Sequence, residues 1–552
     1  MMSVYDQKPW VHHYGTVPEE IDCQPVPLYD IIARWKNCDD RIAIVLEDKD
    51  VTYQALWNMV QRVAEGLRRL GVKPRDRVAL ILPNSLAFVQ AYFATLLVGA
   101  TVVALNPLYT LPELTKLLQD AEPTALIVPP EMVAKVPPTL LPLPWPVVMA
   151  SANNDPKSEQ EAKNVYPTAS MLTQWLDLPP IEDDDVPAID PQKDLALLQY
   201  TGGTTGWPKG AMLTHWNLLA NAEQSRLWMA NLLSPTQDTV LIALPLFHAY
   251  AMTVGMNLGL LIGARLVLMP RFNPEQAALW IARTKPTLFP GAPTMYVALT
   301  QYALAHDLDL TSIKGCISGS APLPRSVQEN FEKLTHGRIV EGYGLTEASP
   351  VTHCQPLWPV DYQAPGIGLP YPSTAVRIVD NMGKDVEPGE VGELIIQGPQ
   401  VMQGYWRRPE ETSEVLKEGW LYTGDLATMD QEGFFAIQDR KKDLIIYSGF
   451  NVYPREVEEV LYHHPAVKEA CVVGVPDAYH GERVKAYIVP KAGVTPDLED
   501  IDRFCQQNLA SYKRPRSYQV VDQLPKSAIG KILRRELARQ AAEDQGEIAH
   551  EQ

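Results

Sequence analysis

The chain has 552 residues and a mass of 61.5 kDa, which is too long for one ordinary hydrophobic core, so at least two domains are expected. Apolar residues make up 46% of the chain and charged residues 21%, a composition that excludes a disordered protein. Acidic residues outnumber basic ones by 66 to 48, giving a formal net charge of −18. This charge argues against a general nucleic-acid binder or a basic membrane-surface protein, so local positive groups would have to hold any anionic ligand.

Three further features bear on location. The six cysteines are too scattered to form a CxxC pair, so we expect buried thiols in a reducing compartment rather than a zinc site or disulfides. The N-terminus lacks the apolar core of a signal peptide. Residues 251–270 are mostly apolar but include Asn257 and Arg265. These two polar residues argue against a membrane span and favour a buried helix that breaks near Gly263 and is followed by a strand.

The first 130 residues alternate helical and strand patterns. Apolar spacing predicts a helix over 52–71, a strand over 77–82, a second helix over 85–97 and a second strand over 101–105. Helices that alternate with unbroken apolar strands predict parallel sheets covered on both faces.

The predicted secondary structure of the remaining residues differs from one segment to the next. Prolines and an acidic run over 136–191 predict an irregular surface excursion, and α/β patterning resumes from 194 to about 360. Residues 366–440 read as short alternating strands, including 375–379 and 392–396, with glycine-rich turns. The last ~110 residues predict a compact α/β unit with a helix from Pro454, strands at 470–475 and 484–489, and a helix near 498–509.

The strongest local signal is the glycine- and threonine-rich loop YTGGTTGWPKG at 200–210, which follows the apolar run 195–198. Glycines permit a tight turn, successive N–H groups form an anion-binding concavity, and Lys209 adds a cation, so the loop suits a polyphosphate. It lacks the G-K-[ST] triplet of a Walker A loop. A flexible hairpin loop without a ligand is the alternative.

This loop resembles the phosphate-binding signature of the adenylate-forming superfamily, which includes acyl-CoA synthetases, 4-coumarate:CoA ligases, firefly luciferase and non-ribosomal adenylation domains. Further segments resemble other motifs of that family in the same order: LPLFH at 244–248, GSAPL at 319–323, EGYGLTE at 341–347, YTGD at 422–425, DRKKD at 439–443 and PKSAIGK at 525–531. The resemblance spans roughly residues 30–540. Glycine at position 203 is more similar to bacterial long-chain fatty-acid CoA ligases than to 4-coumarate ligases.

The resemblance implies an α/β protein with a large N-terminal AMP-binding domain of stacked α/β sheets over 1–440, which includes a β-rich subdomain at about 366–440. A small, mobile α+β domain would follow over 441–552. The implied nucleotide site takes its residues from several segments: Thr201, Gly202, Gly203, Thr204, Thr205, Gly206, Lys209, Gly319, Ser320, Ala321, Pro322, Glu341, Gly342, Tyr343, Gly344, Thr346, Asp425, Arg440 and Lys531.

The residue types agree with these roles. Tyr343 offers a flat face to a purine, and Asp425 can accept from two ribose hydroxyls, although a helix or turn cap is its alternative role. The resemblance implies Glu347 and Thr201 as ligands of Mg²⁺, an ion that takes few protein ligands. Glu347 could instead be a carboxylate at a helix N-terminus. His248 is implied to lie near the carboxylate substrate, but a satisfied core histidine fits equally well.

The C-terminal motifs complete the implied machinery. Lys531 would be catalytic together with Lys209 and His248. It lies in a segment, 511–535, with seven basic residues and one acidic residue, a local anion site on an acidic chain. Lys442 would be the hinge about which the small domain rotates, bringing Ser448, Gly449 and Phe450 to line the CoA tunnel.

The implied reaction has two halves. A long-chain fatty acid attacks the α-phosphorus of MgATP to give acyl-AMP and pyrophosphate, and CoA then displaces AMP. Alternatives are a medium-chain or aryl acid ligase, an enzyme that loads a carrier protein, a membrane-bound fatty-acid transporter and a catalytically dead binding module. The expected partners are a fatty acid, ATP, Mg²⁺ and CoA, without nucleic acid. The expected location is cytoplasmic with at most peripheral contact to the inner face of the membrane. Oligomeric state stays open, a homodimer being one option.

Overall fold

Four sheets organise the part of the chain that the structure describes. The computed structural model describes residues 3–47, 50–135, 145–152, 155–201, 208–362, 364–477, 479–526 and 531–541. The first two sheets are built mainly from parallel strands and helices up to about residue 370, the third is antiparallel, and the fourth belongs to the C-terminal part. The α/β fold class expected from the sequence is therefore confirmed.

The first sheet has eight strands, in the spatial order Gly404–Tyr405, Gly210–Thr214, Leu195–Tyr200, Thr101–Ala104, Arg77–Leu80, Ala125–Val128, Val147–Met149 and Ser170–Met171. Its last six strands run parallel, whereas the first two pair antiparallel. Two of its central strands are buried at every position, as expected for parallel strands covered on both faces.

The expectation of an irregular excursion over 136–191 is wrong for the part that the structure describes. Val147–Met149 and Ser170–Met171 extend the first sheet, and the helix Pro156–Val165 connects them. Both strands are short and lie near prolines, so neither shows the hydrophobic run that would have marked it in the sequence. The acidic run near 183 forms an exposed single turn.

The second sheet joins two four-stranded sets. One set is Thr239–Ile242, Arg265–Leu268, Ile42–Val45 and Val51–Thr52, and the other is Gly315–Ser318, Arg338–Gly344, Val351–Cys354 and Leu369–Pro370. Leu288 bridges the sets by pairing with both Val240 and Gly315. Because Gly315–Ser318 and Arg338–Gly344 are parallel, the loops that follow them emerge at the same edge.

The third sheet contains Ala375–Val379, Gly392–Gln397, Trp420–Met429, Leu416–Lys417 and Phe435–Arg440, all antiparallel. The fourth contains Phe450–Val452, Ile445–Tyr447, Gly481–Pro490, Val467–Asp477 and Ser517–Val520. It has its own buried apolar clusters, packed under Pro454–Tyr462 and Leu498–Asn508. The strands and helices predicted for 366–440 and 454–509 are confirmed, while the domain boundary at 440/441 stays a prediction.

The remaining helical elements cover the sheets. They are Val4–Gln7, Pro9–His13, Asp30–Ala33, Tyr53–Arg69, Leu86–Leu97, Leu111–Ala121, Pro130–Lys135, Leu172–Trp175, His215–Trp228, Ala251–Asn257, Leu258–Leu261, Pro274–Thr284, Pro293–His306, Arg325–Thr335, Thr346–Ala348 and Pro409–Val415, with residues 534–541 also helical. The stretch 251–270 is a buried π-helix and a short α-helix, a turn with Gly263 at φ +70°, and a strand, as predicted. Among the described helices, none combines the length and the hydropathy that crossing a bilayer requires.

Candidate active site

The loop 319–323 meets the end of the strand Arg338–Gly344 at the carboxyl edge of the second sheet, where open α/β sheets commonly bind ligands. The loop 319–323 follows Gly315–Ser318, and its Leu323 N donates to Glu341 Oε2 at 3.0 Å. Burial raises the pKa of Glu341, an effect that the nearby Arg455 partly opposes. A Cβ on Gly319 would lie 3.0 Å from the Tyr250 ring, a tight contact that would require the ring to shift slightly. Ser320, Ala321 and Pro322 follow on the same loop.

The motif EGYG forms the end of the strand Arg338–Gly344 rather than a loop. A Cβ on Gly342 would meet the Ile317 side chain at 2.6 Å, and one on Gly344 would meet the Pro350 carbonyl oxygen at 2.1 Å. Both positions therefore require glycine for close packing. The side chain between them, Tyr343, donates from its hydroxyl to Asp425 Oδ2 at 2.5 Å.

Asp425 connects the second sheet to the third. It lies in the middle of the strand Trp420–Met429, which rules out the alternative of a helix or turn cap. The strand register places Asp425 opposite Arg440, whose Nε is 3.5 Å from Asp425 Oδ1. A carboxylate held between a tyrosine hydroxyl and a guanidinium has a fixed orientation, as a group that recognises two adjacent hydroxyls must have.

The glycine-rich loop closes an antiparallel hairpin. Leu195–Tyr200 and Gly210–Thr214 are its strands, and Thr201 N donates to Lys209 O at 2.9 Å. Gly202, Gly203, Thr204, Thr205 and Gly206 lie outside the described residues. The structure thus shows both ends of the predicted phosphate loop as the strands of a hairpin. This geometry fits a phosphate-binding loop and a hairpin loop without a ligand equally well.

A tyrosine links this hairpin to Glu347. Lys209 Nζ lies 5.0 Å from the centre of the Tyr405 ring, a cation–π distance. The Tyr405 hydroxyl donates to Glu347 Oε1 at 2.7 Å. Glu347 lies in the single helical turn Thr346–Ala348, which includes Thr346. The sequence analysis did not identify Tyr405 as a site residue, because the sequence shows it only as an aromatic residue beside a glycine.

Lys531 approaches the Asp425–Arg440 pair from the other end of the chain. Although the side chain is open to solvent, surrounding protein and the positive charge of Arg440 lower its pKa from 10.5 to about 8, with Asp425 opposing. Lys531 is therefore close enough to both residues to interact with their charges. The motif residues 527–530 lie outside the described part.

His248 lies six residues beyond the end of the strand Thr239–Ile242. His248 lies half-buried in a turn before the π-helix. Burial and the nearby Lys531 lower its pKa to about 4, so this imidazole is neutral at pH 7. The charge of Lys531 acts on His248, so the two side chains lie near each other.

The segment that carries His248 is held by a buried asparagine, which the sequence analysis missed. Asn84 donates to Leu244 O at 2.8 Å and to Met269 O at 2.9 Å, and it accepts from Leu246 N at 2.6 Å. Its position just after the strand Arg77–Leu80, at the edge where the loops converge, is the only signal that could have indicated it.

Lys442 follows the last strand of the third sheet. Its neighbour Lys441 is fixed on both sides, because its N donates to Gly424 O and its Nζ pairs with Glu393, each at 2.9 Å. Desolvation by the surrounding protein and the positive charge of Arg440 lower the pKa of the exposed Lys442 to about 8. The chain therefore leaves the third sheet at a closely held point, next to the Asp425–Arg440 pair.

The predicted CoA-binding segment is the tight turn between Ile445–Tyr447 and Phe450–Val452. Ser448 and Gly449 both have positive φ, +50° and +84°. Ser448 Oγ hydrogen bonds His480 Nδ1 at 2.7 Å, and Phe450 stacks on Tyr512 with ring centres 4.8 Å apart. These partners belong to the C-terminal part, so this turn sits on the fourth sheet, whereas Lys531 interacts with the charges of Asp425 and Arg440.

Comparison with known proteins gives two family matches. A family model described as AMP-binding enzyme matches residues 33–406, and one described as AMP-binding enzyme C-terminal domain matches residues 456–531. The first range includes the segments 319–323 and 341–347 and the second ends at Lys531, whereas Asp425 and Arg440 lie between the two ranges.

Individual relatives align along nearly the whole chain. The long-chain-fatty-acid–CoA ligase of Bacillus subtilis (strain 168) is 43% identical over 98% of this chain and 99% of its own length. The enzyme of the same name from Escherichia coli O157:H7 is 38% identical, with 97% and 98% covered. Among solved structures, the anthranilate CoA ligase AuaEII in complex with anthranoyl-AMP is 28% identical with a TM-score of 0.83, and 97% of this chain and 99% of that chain are covered. Because the first family model covers well over half of the residues and these relatives align end to end, the chain belongs to the AMP-binding enzyme family.

Proposed function

We propose that the protein is an ATP-dependent acyl-CoA synthetase that adenylates a long-chain fatty acid and transfers the acyl group to CoA, releasing AMP and pyrophosphate. The observation that carries this proposal is the charge interaction of Lys531 with Asp425 and Arg440, because it supports a role for a cation from the C-terminal part at the proposed nucleotide site. The similarity to long-chain-fatty-acid–CoA ligases along the whole chain supports the choice of substrate.

In this proposal the nucleotide lies along the converging loops. Asp425 accepts from the ribose hydroxyls with Arg440 beside it, Tyr343 and the 319–322 loop surround the adenine, and the 201–209 hairpin holds the phosphates. The Tyr343–Asp425 hydrogen bond at 2.5 Å supports the ribose assignment, because it fixes the carboxylate before the nucleotide arrives.

The residues near Glu347 fit a magnesium site shared with phosphate. The described residues contain no group of three His, Cys, Asp or Glu side chains placed to hold a metal, and Mg²⁺ is commonly bound through one or two carboxylates plus substrate phosphates. Glu347 and the Thr201 hydroxyl would hold the ion. When bound, the ion neutralises charge on the phosphates and polarises their P–O bonds. The Tyr405 hydroxyl at 2.7 Å orients the Glu347 carboxylate.

The first half-reaction needs charge compensation rather than a base. A fatty-acid carboxylate is already ionised at pH 7, and its oxygen attacks the α-phosphorus while the bond to the pyrophosphate oxygen breaks. Two anions must approach each other, so a cation directed at the crowded phosphate is the natural stabiliser. We assign this role to Lys531, with Lys209 on the pyrophosphate side.

We assign His248 to the wall of the carboxylate pocket as a neutral hydrogen-bonding group. With a pKa of about 4, its imidazole is too weak a base to remove the proton from a thiol at neutral pH efficiently. It can still accept or donate one hydrogen bond without adding charge, and the Asn84 contacts to 244–246 fix its position.

The second half-reaction requires Lys531 to withdraw. The CoA sulfur attacks the acyl carbon, the bond from that carbon to the AMP phosphate oxygen breaks so that AMP leaves, and the thiol proton passes to solvent. We propose that rotation about Lys442 removes Lys531 and brings the Ser448–Gly449–Phe450 turn to the site, a domain movement of a known type. The exposed Phe450 and the open space at the Cβ position of Gly449 support this, since a narrow thioester arm could pass there.

Pyrophosphate release against a series of acids from benzoate and 4-coumarate to palmitate, with and without CoA, tests the proposal. We expect the highest kcat/KM with long-chain acids and thioester formation with free CoA. A preference for aryl acids, favoured by the similarity to the anthranilate ligase, would replace the substrate assignment. Thioester formation only on a phosphopantetheinyl carrier protein would replace the acceptor.

The cysteines bear on where the enzyme acts. The six cysteines are free thiols in the structure, which agrees with a reducing compartment. We propose that the enzyme acts in the cytoplasm, with at most peripheral contact to the inner face of the membrane where long-chain acids partition. Fractionation of cells into cytosol and membranes, with and without a salt wash, tests this placement.

A further inference from the structure

The segment that carries Lys531 is fixed by a buried arginine three residues further on. Arg534 Nη2 donates to both carboxylate oxygens of Glu458, each at 2.9 Å. Glu458 lies on the helix Pro454–Tyr462 and also accepts from Val472 N at 2.7 Å. Arg534 and Glu458 both belong to the C-terminal part, so their hydrogen bonds would stay intact if that part moved relative to the rest of the chain.

The same guanidinium also reaches the third sheet. Arg534 Nη1 lies 3.7 Å from Asp439 Oδ1, within ion-pair range but longer than a hydrogen bond. Asp439 precedes Arg440, and its Oδ1 accepts from Arg440 N at 2.8 Å. A second connection lies alongside, because Asp439 Oδ2 accepts from Arg455 N at 2.9 Å. One carboxylate thus contacts both the Arg440 backbone and the segment that carries Lys531.

The cluster is well shielded from water. The Asp439 side chain is 5% exposed, that of Glu458 11% and that of Arg534 22%. The Asp439 and Glu458 carboxylates share the Arg534 guanidinium. Removing one partner from such a group is costly because it leaves a buried charge uncompensated. The cluster therefore has a defined geometry rather than a loose surface pairing.

We propose that Arg534 is a positioning residue for Lys531. Through its hydrogen bonds to Glu458 and its ion pair with Asp439, it holds Lys531 at the proposed nucleotide site during acyl-AMP formation. The Asp439 contact is the longer of the two and crosses the junction at 440–442, so it is the one that breaks when the C-terminal part rotates. This inference rests on the proposed two-step reaction and adds that the closed arrangement depends on Arg534.

The experiment uses the full-length enzyme and measures the half-reactions separately. Arg534→Lys keeps the charge but loses the planar fork that spans two carboxylates. We expect single-turnover acyl-AMP formation to fall about 10- to 100-fold, the loss that small displacements of a reacting group commonly cause. Thioester formation from pre-made acyl-AMP should stay within about twofold of the original protein, because that step requires the docking to be broken. Asp439→Asn should lower acyl-AMP formation in the same direction.

Arg503→Ala is the matched control, since Arg503 pairs with Asp500 on an exposed helix face of the same part. It should leave both half-reactions unchanged. Equal loss of both half-reactions in R534K, or no loss in either, would overturn the inference.

Hydrogen exchange without substrates gives a readout that does not depend on catalysis. The amides of 435–440 should exchange faster in R534K than in the original protein or in R503A, and unchanged exchange would count against the docking. If the unmodified enzyme forms no acyl-AMP from any fatty acid, the proposed function fails, while the exchange comparison still decides whether Arg534 docks the two parts.

Discussion

Lys531 gives the sharpest prediction, because its charge is needed for the proposed adenylation step and its pKa is displaced into an accessible range. Desolvation by the surrounding protein and the positive charge of Arg440 lower that pKa from 10.5 to about 8. The lysine is protonated below this pH and neutral above it, so acyl-AMP formation should decline as the pH rises through about 8.

The size of the effect follows from the pKa. With a value of about 8, roughly nine-tenths of the enzyme carries the Lys531 cation at pH 7 and roughly one-tenth at pH 9. We therefore expect kcat/KM for acyl-AMP formation to fall about tenfold between these pH values. Bound ATP is an anion and raises the pKa of a neighbouring amine, so kcat should decline at a higher pH than kcat/KM.

Single-turnover formation of radiolabelled acyl-AMP is the suitable assay, since it excludes the ionisation of CoA and of pyrophosphate. Lys531→Arg should remove the alkaline decline, because a guanidinium stays protonated throughout, although its absolute rate should be lower. Lys442, whose pKa is also about 8, is a possible second source of the decline, so Lys442→Arg is the companion variant.

Two results would refute this reasoning. A rate that stays constant between pH 7 and pH 9 would mean that the Lys531 charge is not required or that its pKa is not lowered. An alkaline decline that persists in K531R but disappears in K442R would assign the titration to Lys442 instead.

Three further outcomes follow from the same geometry. Tyr343→Phe removes the hydrogen-bond donor to Asp425. Since a hydrogen bond to a charged group is worth about 1.5–3 kcal/mol, the KM for ATP should rise about 10- to 100-fold. Steady-state kinetics should show an unchanged KM for the fatty acid, and a rise in both KM values would indicate general disruption. Glu347→Gln can keep the Tyr405 hydrogen bond but lacks the metal-binding charge, so a magnesium titration of acyl-AMP formation should shift to higher concentration; an unshifted curve would exclude Glu347 as a ligand. Lys442→Pro should retain acyl-AMP formation and lose thioester synthesis, and normal overall turnover would remove the hinge assignment.

Local patterns predicted many elements close to their observed bounds. The helix Tyr53–Arg69 was expected over 52–71, because its apolar residues recur at helical spacing and Gly71 can take the positive φ of a helix end. The strands Ala375–Val379 and Gly392–Gln397 were expected from alternation between glycine-rich turns. In these segments each residue's side chain and its immediate neighbours favour the same conformation.

Prediction failed where an element gains its stability from a distant partner. Val147–Met149 and Ser170–Met171 are too short to show a periodicity, and they form strands because they can pair at the edge of an existing sheet. Asn84 and Tyr405 were missed for a similar reason. Neither lies in a distinctive motif, and each becomes informative only through contacts with residues at least 58 positions away in the chain.

The amino-acid sequence alone determined which segments carry phosphate-binding, acidic and cationic groups, and it determined the order of those segments. These properties depend on side-chain chemistry and on local backbone preference, which a linear pattern records. Only the tertiary structure decided that Tyr343, Asp425, Arg440 and Lys531 lie at one edge, and that Arg534 docks beside them. Sheet register and the packing of buried apolar faces set those distances, and these depend on cooperation among many residues far apart in the chain.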